Sequence, residues 1–371
     1  MLVMLATAAA ATVCGAGVVH TASQRLEGKL TLGRQITVGA GAVDLGEALF
    51  VQTDAPASRP TAGCAVRTRD GEVWVCDVLS LEAGKLAIRL VGGLESRVDA
   101  ASLSEIDFAT HLAAAAPPAE GVLYRQKSEN VPGNLMWMSA TELGIDSLLG
   151  VLTLPREGST RFVFAAQTRP AHGADEVVLT DGSVFRGRVS GADGALHLQH
   201  AVFGKLTFAS DRVRYFARSE TAFLADMPAE VKADSLVGLS TPPQTVTMLR
   251  PQLAAPSSPT GLRSIRVEPR TSITYRLDSG PHELRLAVER ASDARGDVLV
   301  RVRSGSVKLL EKEFDSAARP LAISLEVPGR ELSIDVEFGT RMGFPCAVVL
   351  NDPLVLPRRA APQTAPATQG S

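Results

Sequence analysis

Six histidines, four cysteines and a spread of carboxylates are the residues that could carry chemistry in this sequence. His197 and His200 form the closest histidine pair. The run "ALHLQH" around them alternates as a strand does, which sends side chains three apart to opposite faces and away from any shared metal ion. No G-x-S-x-G occurs, and "GAGAVD" (Gly39 to Asp44) lacks the third glycine and the following helix of a dinucleotide motif. No two carboxylates stand out as an acid and base. The chain therefore reads as non-catalytic, with a glycoside hydrolase accessory or an unrecognised hydrolase as the weakest alternative. What remains is a set of donors and oxygens at turns and strand ends near the C-terminus: His282, Glu289, Arg290, Asp293, Asp297 and Asp352. Phe344, in "RMGFPC", is the one loop aromatic from Gly261 on. These groups suit a hydroxyl-rich ligand or, for the oxygens, a structural calcium ion; solvated turn residues are the alternative for each. No other cofactor is expected, and metal ligation is left open.

The cysteines are Cys14, Cys64, Cys76 and Cys346. In "CAVRTRDGEVWVC" a hairpin turning at Arg69-Asp70-Gly71 puts Gly71 at the left-handed position and sets Cys64 opposite Cys76. Opposed strand residues lie within disulfide reach, so a Cys64–Cys76 bond is expected, with Cys346 left as a core thiol.

The elements that must position these residues are short strands. Three segments repeat one pattern of strand, turn, further strands, glycine, alternating run and closing aromatic. Gly93, Gly150 and Gly204 hold equivalent places, as do Phe108, Phe164 and Phe216, and "GVLTLP" matches "GKLTFA". The spacing is 52 to 57 residues, the size of a module rather than a solenoid rung. The expected architecture is all-β. Tandem small antiparallel modules, as curled sheets or small barrels, span 64–110, 121–166 and 176–218, after a diverged β segment at 25–63. The order of strand, turn and bent strand in "LTDGSVFRGRV" is similar to that of Sm-like barrels. "HLAAAAPPAE", "QTRPAHGADE" and the stretch from Ser240 to Gly261 read as connectors, and 358–371 as a disordered tail.

Charges nearly cancel, at 38 basic and 40 acidic residues, and aromatics make up 5%. Neither a basic footprint nor stacking platforms for nucleic acid are present, so no nucleic-acid partner is expected. The uncharged apolar opening, residues 1–22, reads as a signal peptide or an N-terminal anchor. Export to the periplasm, cell surface or medium follows, with membrane contact only through that segment if it is retained.

After Phe216 the character changes, and from Ser264 strands follow one another with short polar turns, as in an antiparallel sandwich. The order "FLADMPAE", "GLRSIRVEPRTSITYRLDSGPHELRLAVE", "GDVLVRVRSGSVKLLEKEF", "LEVPGRELSIDVEFG" and "VVLNDPLVL" resembles the NPCBM family, the carbohydrate-binding module of glycosyl hydrolase family 98. Val267, Ile273, Tyr275 and Leu277 fit its first long line, with Thr271 in the serine place. Val327 and Gly329 fit its turn, Leu332, Ile334 and Val336 the alternating strand, and Asp352 the last strand. Glu268 stands where the family has histidine, and the aspartate pair after the first strand is replaced by Glu289-Arg290 with a displaced Asp293. The resemblance covers 222–357 and implies a jelly-roll-like β-sandwich that binds glycan. His282, Arg290, Asp293, Phe344 and Asp352 become its candidate carbohydrate-binding residues. The arrangement of tandem modules before such a domain also resembles exported planctomycete proteins. A structural role among cell-envelope proteins, without sugar binding, is the alternative.

Overall fold

The computed structural model describes residues 13–56, 58, 63–108, 119–164, 173–192, 194–234, 246–249 and 263–358. Among them there is no α-helix, only strands and three short 3₁₀ turns. The repeated module is a five-stranded curled sheet that does not close. Cys64–Thr68, Val73–Glu82, Lys85–Leu90 and Glu95–Asp99 form an antiparallel meander. A 3₁₀ turn then returns Leu103–Asp107 to the edge of Cys64–Thr68. The long strand bends where its register slips between Val78 and Ser80, which lets a few residues wrap a core. Asp175–Leu179, Val184–Ala192, Ala195–His200, Gly204–Ala209 and Val213–Ala217 repeat this order. So do the strands from Val122–Arg125 to Ser159–Val163. Gly71 and Gly182 both turn their hairpins at positive φ, 92° and 87°, where a side chain would be strained.

A fourth copy leads the array. Val13–Thr21, Arg25–Thr31, Gln35–Val38, Gly41–Asp44 and Ala48–Thr53 pair in the same order. The sequence reading starts this segment at residue 25 and assigns 1–22 to a leader. In the structure Val13–Thr21 lies between Arg25–Thr31 and Ala48–Thr53, paired on both sides. An uninterrupted apolar run looks the same whether it is a leader or a strand flanked by two others. Residues 1–12, most of the connectors and the tail from residue 359 lie outside the described residues. No described helix is long and apolar enough to cross a membrane.

The copies join through their last strands, and not in sequence order. Ala48–Thr53 of the first pairs with Val213–Ala217 of the fourth, and Leu103–Asp107 of the second with Ser159–Val163 of the third. The first junction makes one continuous sheet whose cross-strand register lines up Arg25, His20, Phe50, Ala217, Glu176 and Arg186 in a single row. The second and fourth copies also touch, where Val73 pairs with Val184. Trp74, Phe185, His200 and Phe203 pack together there, at ring separations from 4.7 to 6.2 Å.

The C-terminal domain is a two-sheet sandwich. One sheet orders Val246–Leu249, Ser264–Val267, Val348–Pro357, His282–Arg290 and Leu321–Val327, with Ala222–Phe223 also on Val348–Pro357. The other orders Ala229–Ala233, Thr271–Arg276, Glu331–Phe338, Val298–Ser304 and Val307–Phe314. Val267, Ile273, Tyr275, Leu277, Val327, Leu332, Ile334 and Val336 all point into the core between them. The apolar positions of the sequence resemblance are thus the alternate, inward-facing residues that a sandwich requires. The outer face of the first sheet packs on the array through Phe50, Val178, Tyr215, Phe223, Leu354 and Leu356.

Candidate functional site

The five candidate residues do not form one constellation. His282 and Arg290 begin and end a nine-residue strand, about 27 Å apart at strand rise. His282 is buried, and burial lowers its pKa against the opposing pull of Asp278. Arg290 donates to the backbone carbonyls of Gly296 (2.9 Å) and Ala294, so its guanidinium shapes a loop. Asp352 sits at φ 43° in the bulged last strand, on the side facing the array. It clamps residue 263: its N–H donates to the Arg263 carbonyl at 2.7 Å, and its Oδ1 accepts the Arg263 N–H at 3.1 Å.

Asp293 and Phe344 do share one end of the sandwich, with the Arg290 loop. The loops 291–297 and 339–347 are laced together there. Arg295 N–H donates to the Pro345 carbonyl at 2.7 Å, Asp297 N–H to Arg341 at 2.8 Å, and Gly339 N–H to Asp297 at 2.8 Å. A side chain at Gly296 or Gly343 would collide with the opposite backbone, so glycine is needed for that approach. Phe344 projects from this support with 62% of its surface exposed, beside Met342 at 63%. Its ring meets Phe338 edge-on at 5.4 Å. Asp293 is held by both nitrogens of Arg266, at 2.9 and 3.0 Å, and Arg266 with its hydrogen bonds keeps the Asp293 carboxyl below its usual pKa. Arg295 and Arg341 are exposed on the same loops. The two loops carry a braced, exposed aromatic together with charged groups, of which Arg341 pairs with Asp297 at 3.2 Å.

The most tightly bonded polar group is one the sequence reading misses. Arg263, 7% exposed, sends Nη1 and Nη2 to the two oxygens of Glu176 at 2.6 and 2.7 Å. Nη1 also reaches the Tyr215 hydroxyl at 2.9 Å, Nε pairs with Asp226 at 2.7 Å, and the guanidinium lies 4.1 Å from the Phe223 ring centre. Arg186 binds Glu176 from the other side at 2.7 Å. Burial opposes the charge on Glu176, but Arg263 and Arg186 outweigh it and hold the carboxyl well below the usual range. For Asp226 burial prevails over Arg263 and its pKa is raised. A signal existed: Arg263 is in phase with the inward-facing Ile265 and Val267, an unusual place for an unpaired charge.

Two further expectations are decided. Cys64 does face Cys76 in register, but the thiols are free, so the expected disulfide is absent. Both are buried, and Arg156 donates to Cys64 Sγ at 3.5 Å, giving that sulfur a polar partner instead of a bond. Burial, with Cys64 alongside, pushes the Cys76 thiol far up. Cys346 is a buried free thiol, as read. His197 and His200 point apart. His200 Nδ1 accepts the N–H groups of Val202 and Phe203, which leaves Nε2 to donate to Glu72 at 3.1 Å. No group of three metal-ligating side chains occurs among the described residues.

No family model matches the chain, and no curated protein matches it. Several solved carbohydrate-binding modules are similar to it. A CBM51 module from the Clostridium perfringens GH95, in complex with methyl-galactose, aligns at 10% identity and TM-score 0.29, over 36% of this chain and 99% of that one. The tandem CBM51 modules of Sp3GH98, the family 98 glycoside hydrolase from Streptococcus pneumoniae SP3-BS71, align at 10% identity and TM-score 0.30, over 79% and 87%. TmCBM61 in complex with beta-1,4-galactotriose aligns at 15% identity and TM-score 0.24, over 36% and 89%. No residue role is carried over from any of them.

Proposed function

We propose that the chain is an exported, non-catalytic carbohydrate-binding protein. Its sandwich contacts sugar at the loop end around Phe344, and the array serves as its mount. The observation that carries this reading is the exposed Phe344 ring on two interlaced loops. A pyranose presents a C–H face that stacks on such a ring, while Asp293, Arg295 and Arg341 supply rim groups for hydroxyls. Phe344 and Met342 together put apolar surface at this loop end, whereas Tyr275 and Phe314 are buried in the core. The sequence resemblance to the NPCBM family supports the same reading. Of the residues proposed from sequence, Asp293 and Phe344 remain candidates for sugar contact, with Arg290 as their loop support. The test is a glycan-array screen of the full chain against Phe344→Ala. Binding to neutral glycans that disappears in the variant supports the reading; no binding above background by the folded wild-type chain refutes it.

A second reading has its own observation. In the third copy the hairpin tip exposes Leu148, Leu149 and Val151, and the strand Gly150–Pro155 has no second neighbour among the described residues. An apolar tip beside an open edge suits a protein contact. Under this reading the array, not the sandwich, is the working surface.

A further inference from the structure

Between the array and the sandwich lies a cleft of about 300 Å³, and none of the loop-end residues lines it. Arg25 and Arg214 enter it from the array, and Arg285 from the sandwich. Against these three guanidinium groups the lining holds one carboxylate, Asp352, which already accepts the Arg263 N–H. Arg25 pairs with Glu27 on the exposed side. Arg214 and Arg285 have no ion pair among the described residues. Arg285 instead donates to Nε2 of His20. His20 is 1% exposed, and burial, then Arg285 and Arg25, lower its pKa to about 3, so it stays neutral and aims the guanidinium without cancelling its charge. Glu283 lies 4.0 Å from His20 Nδ1 and 3.9 Å from Arg358 Nε, outside the lining. Burial and the field of Arg25 lower the Arg285 pKa, partly offset by Glu283 and Glu27.

Like charges facing one another in a partly enclosed space repel more strongly than on an open surface. Guanidinium forks in that setting match a carboxylate or sulfate in plane and charge. The rest of the wall mixes Phe50, Phe223, Ile323 and Leu354, apolar groups for a ring's C–H face, with Gln52 and Ser324 as polar partners. The volume is at the small end for ligand sites and fits one compact ring rather than a polymer chain.

We infer that this cleft is a second binding site, for a single acidic sugar whose oxyanion is held by Arg214 and Arg285. The site stands apart from the loop end. It needs both domains, so it exists only while the sandwich is docked.

The test is isothermal titration calorimetry of the full chain with D-glucuronate, D-glucose and inorganic sulfate, on wild type, Arg214→Gln and Arg285→Gln. Arg214 holds no side-chain partner among the described residues, so its variant keeps the wild-type melting temperature. The expected result is saturable glucuronate binding, weaker at high salt and weakened at least tenfold in both variants, with no glucose binding. Three results overturn the inference. They are no saturable glucuronate binding, binding indifferent to Arg214→Gln, and sulfate binding as tightly as glucuronate. The loop-end reading is scored separately, by neutral-glycan binding and its dependence on Phe344, so either can fail alone.

Discussion

The array contains two last-strand junctions, and each buries a carboxylate between arginines. At the junction of the second and third copies, Glu105 lies between Arg67 at 3.5 Å and Arg161 at 3.3 Å, all three from the array. At the junction of the first and fourth, Glu176 lies between Arg186 of its own copy and Arg263 of the sandwich, at 2.7 and 2.6 Å. The same device is closed internally in one place and completed by another domain in the other. The shorter, two-pronged contact is the one that crosses between domains. The lesson is that the sandwich is not tethered to the array by a linker alone; it supplies the second of two guanidinium groups that hold a buried carboxylate.

The largest expected effect tests that contrast. Removing one partner of a buried pair typically costs about 3–5 kcal/mol. Arg263→Met should lose stability in that range in urea unfolding, and Arg161→Met clearly less: each variant leaves one arginine on its carboxylate, Arg186 or Arg67, but loss of Arg263 also strips Asp226 and Tyr215 of their partner. Equal losses would break the comparison. Next in size is a steric test inside the third copy. A Cβ at Gly144 would collide with the Trp137 indole. Gly144→Ala should therefore cost about 1–3 kcal/mol and shift Trp137 fluorescence, while leaving the sandwich's melting behaviour intact.

The third prediction concerns pH. Glu176 is held low in the fold, so its contribution is complete above its ordinary value of 4.5 and is lost as pH falls below it. His20 has its folded pKa depressed to about 3 from 6.5. The unfolded chain then takes up a proton that the folded one refuses, and stability falls by about 1.4 kcal/mol per pH unit on acidification below 6.5. His20→Gln should flatten the profile from 6.5 downward, whereas Glu176→Gln should flatten it only below 4.5. Identical profiles would mean that neither group senses the junction. The smallest effect is expected at Cys64 and Cys76. With free thiols, a reducing agent should leave the melting temperature unchanged, and a rise in apparent stability under oxidation would show that the bond can form.

Alternation at period two was enough to read the strands of both regions, and the glycine and aromatic spacing delimited three copies. Val267, Ile273, Tyr275 and Leu277 were legible because inward-facing sandwich positions recur at fixed intervals. The first strand of the leading copy was not, although 25–63 was read as a diverged β segment, because "VCGAGVVHT" alternates nothing: a strand flanked on both sides and a leader have the same apolar signature. Nor was the pairing of first with fourth and second with third. Ala48–Thr53 and Val213–Ala217 are joined by register alone, across some 160 residues, and no local pattern records a partner that far away. The exposed loop position of Phe344 was legible, because an aromatic breaks a polar loop there. The placement of Arg263, Arg214 and Arg285 was not legible, because it arises only once two domains meet. Likewise Asp352 was found as a family position, but its work is to hold Arg263.

The most direct test of the docked arrangement is a double-mutant cycle on Glu176→Gln and Arg263→Met, followed by urea unfolding of the full chain. Strong coupling between the two sites, about 2 kcal/mol or more, with array and sandwich unfolding in one transition, is the predicted result. Additive losses, with the two domains unfolding separately, would contradict it.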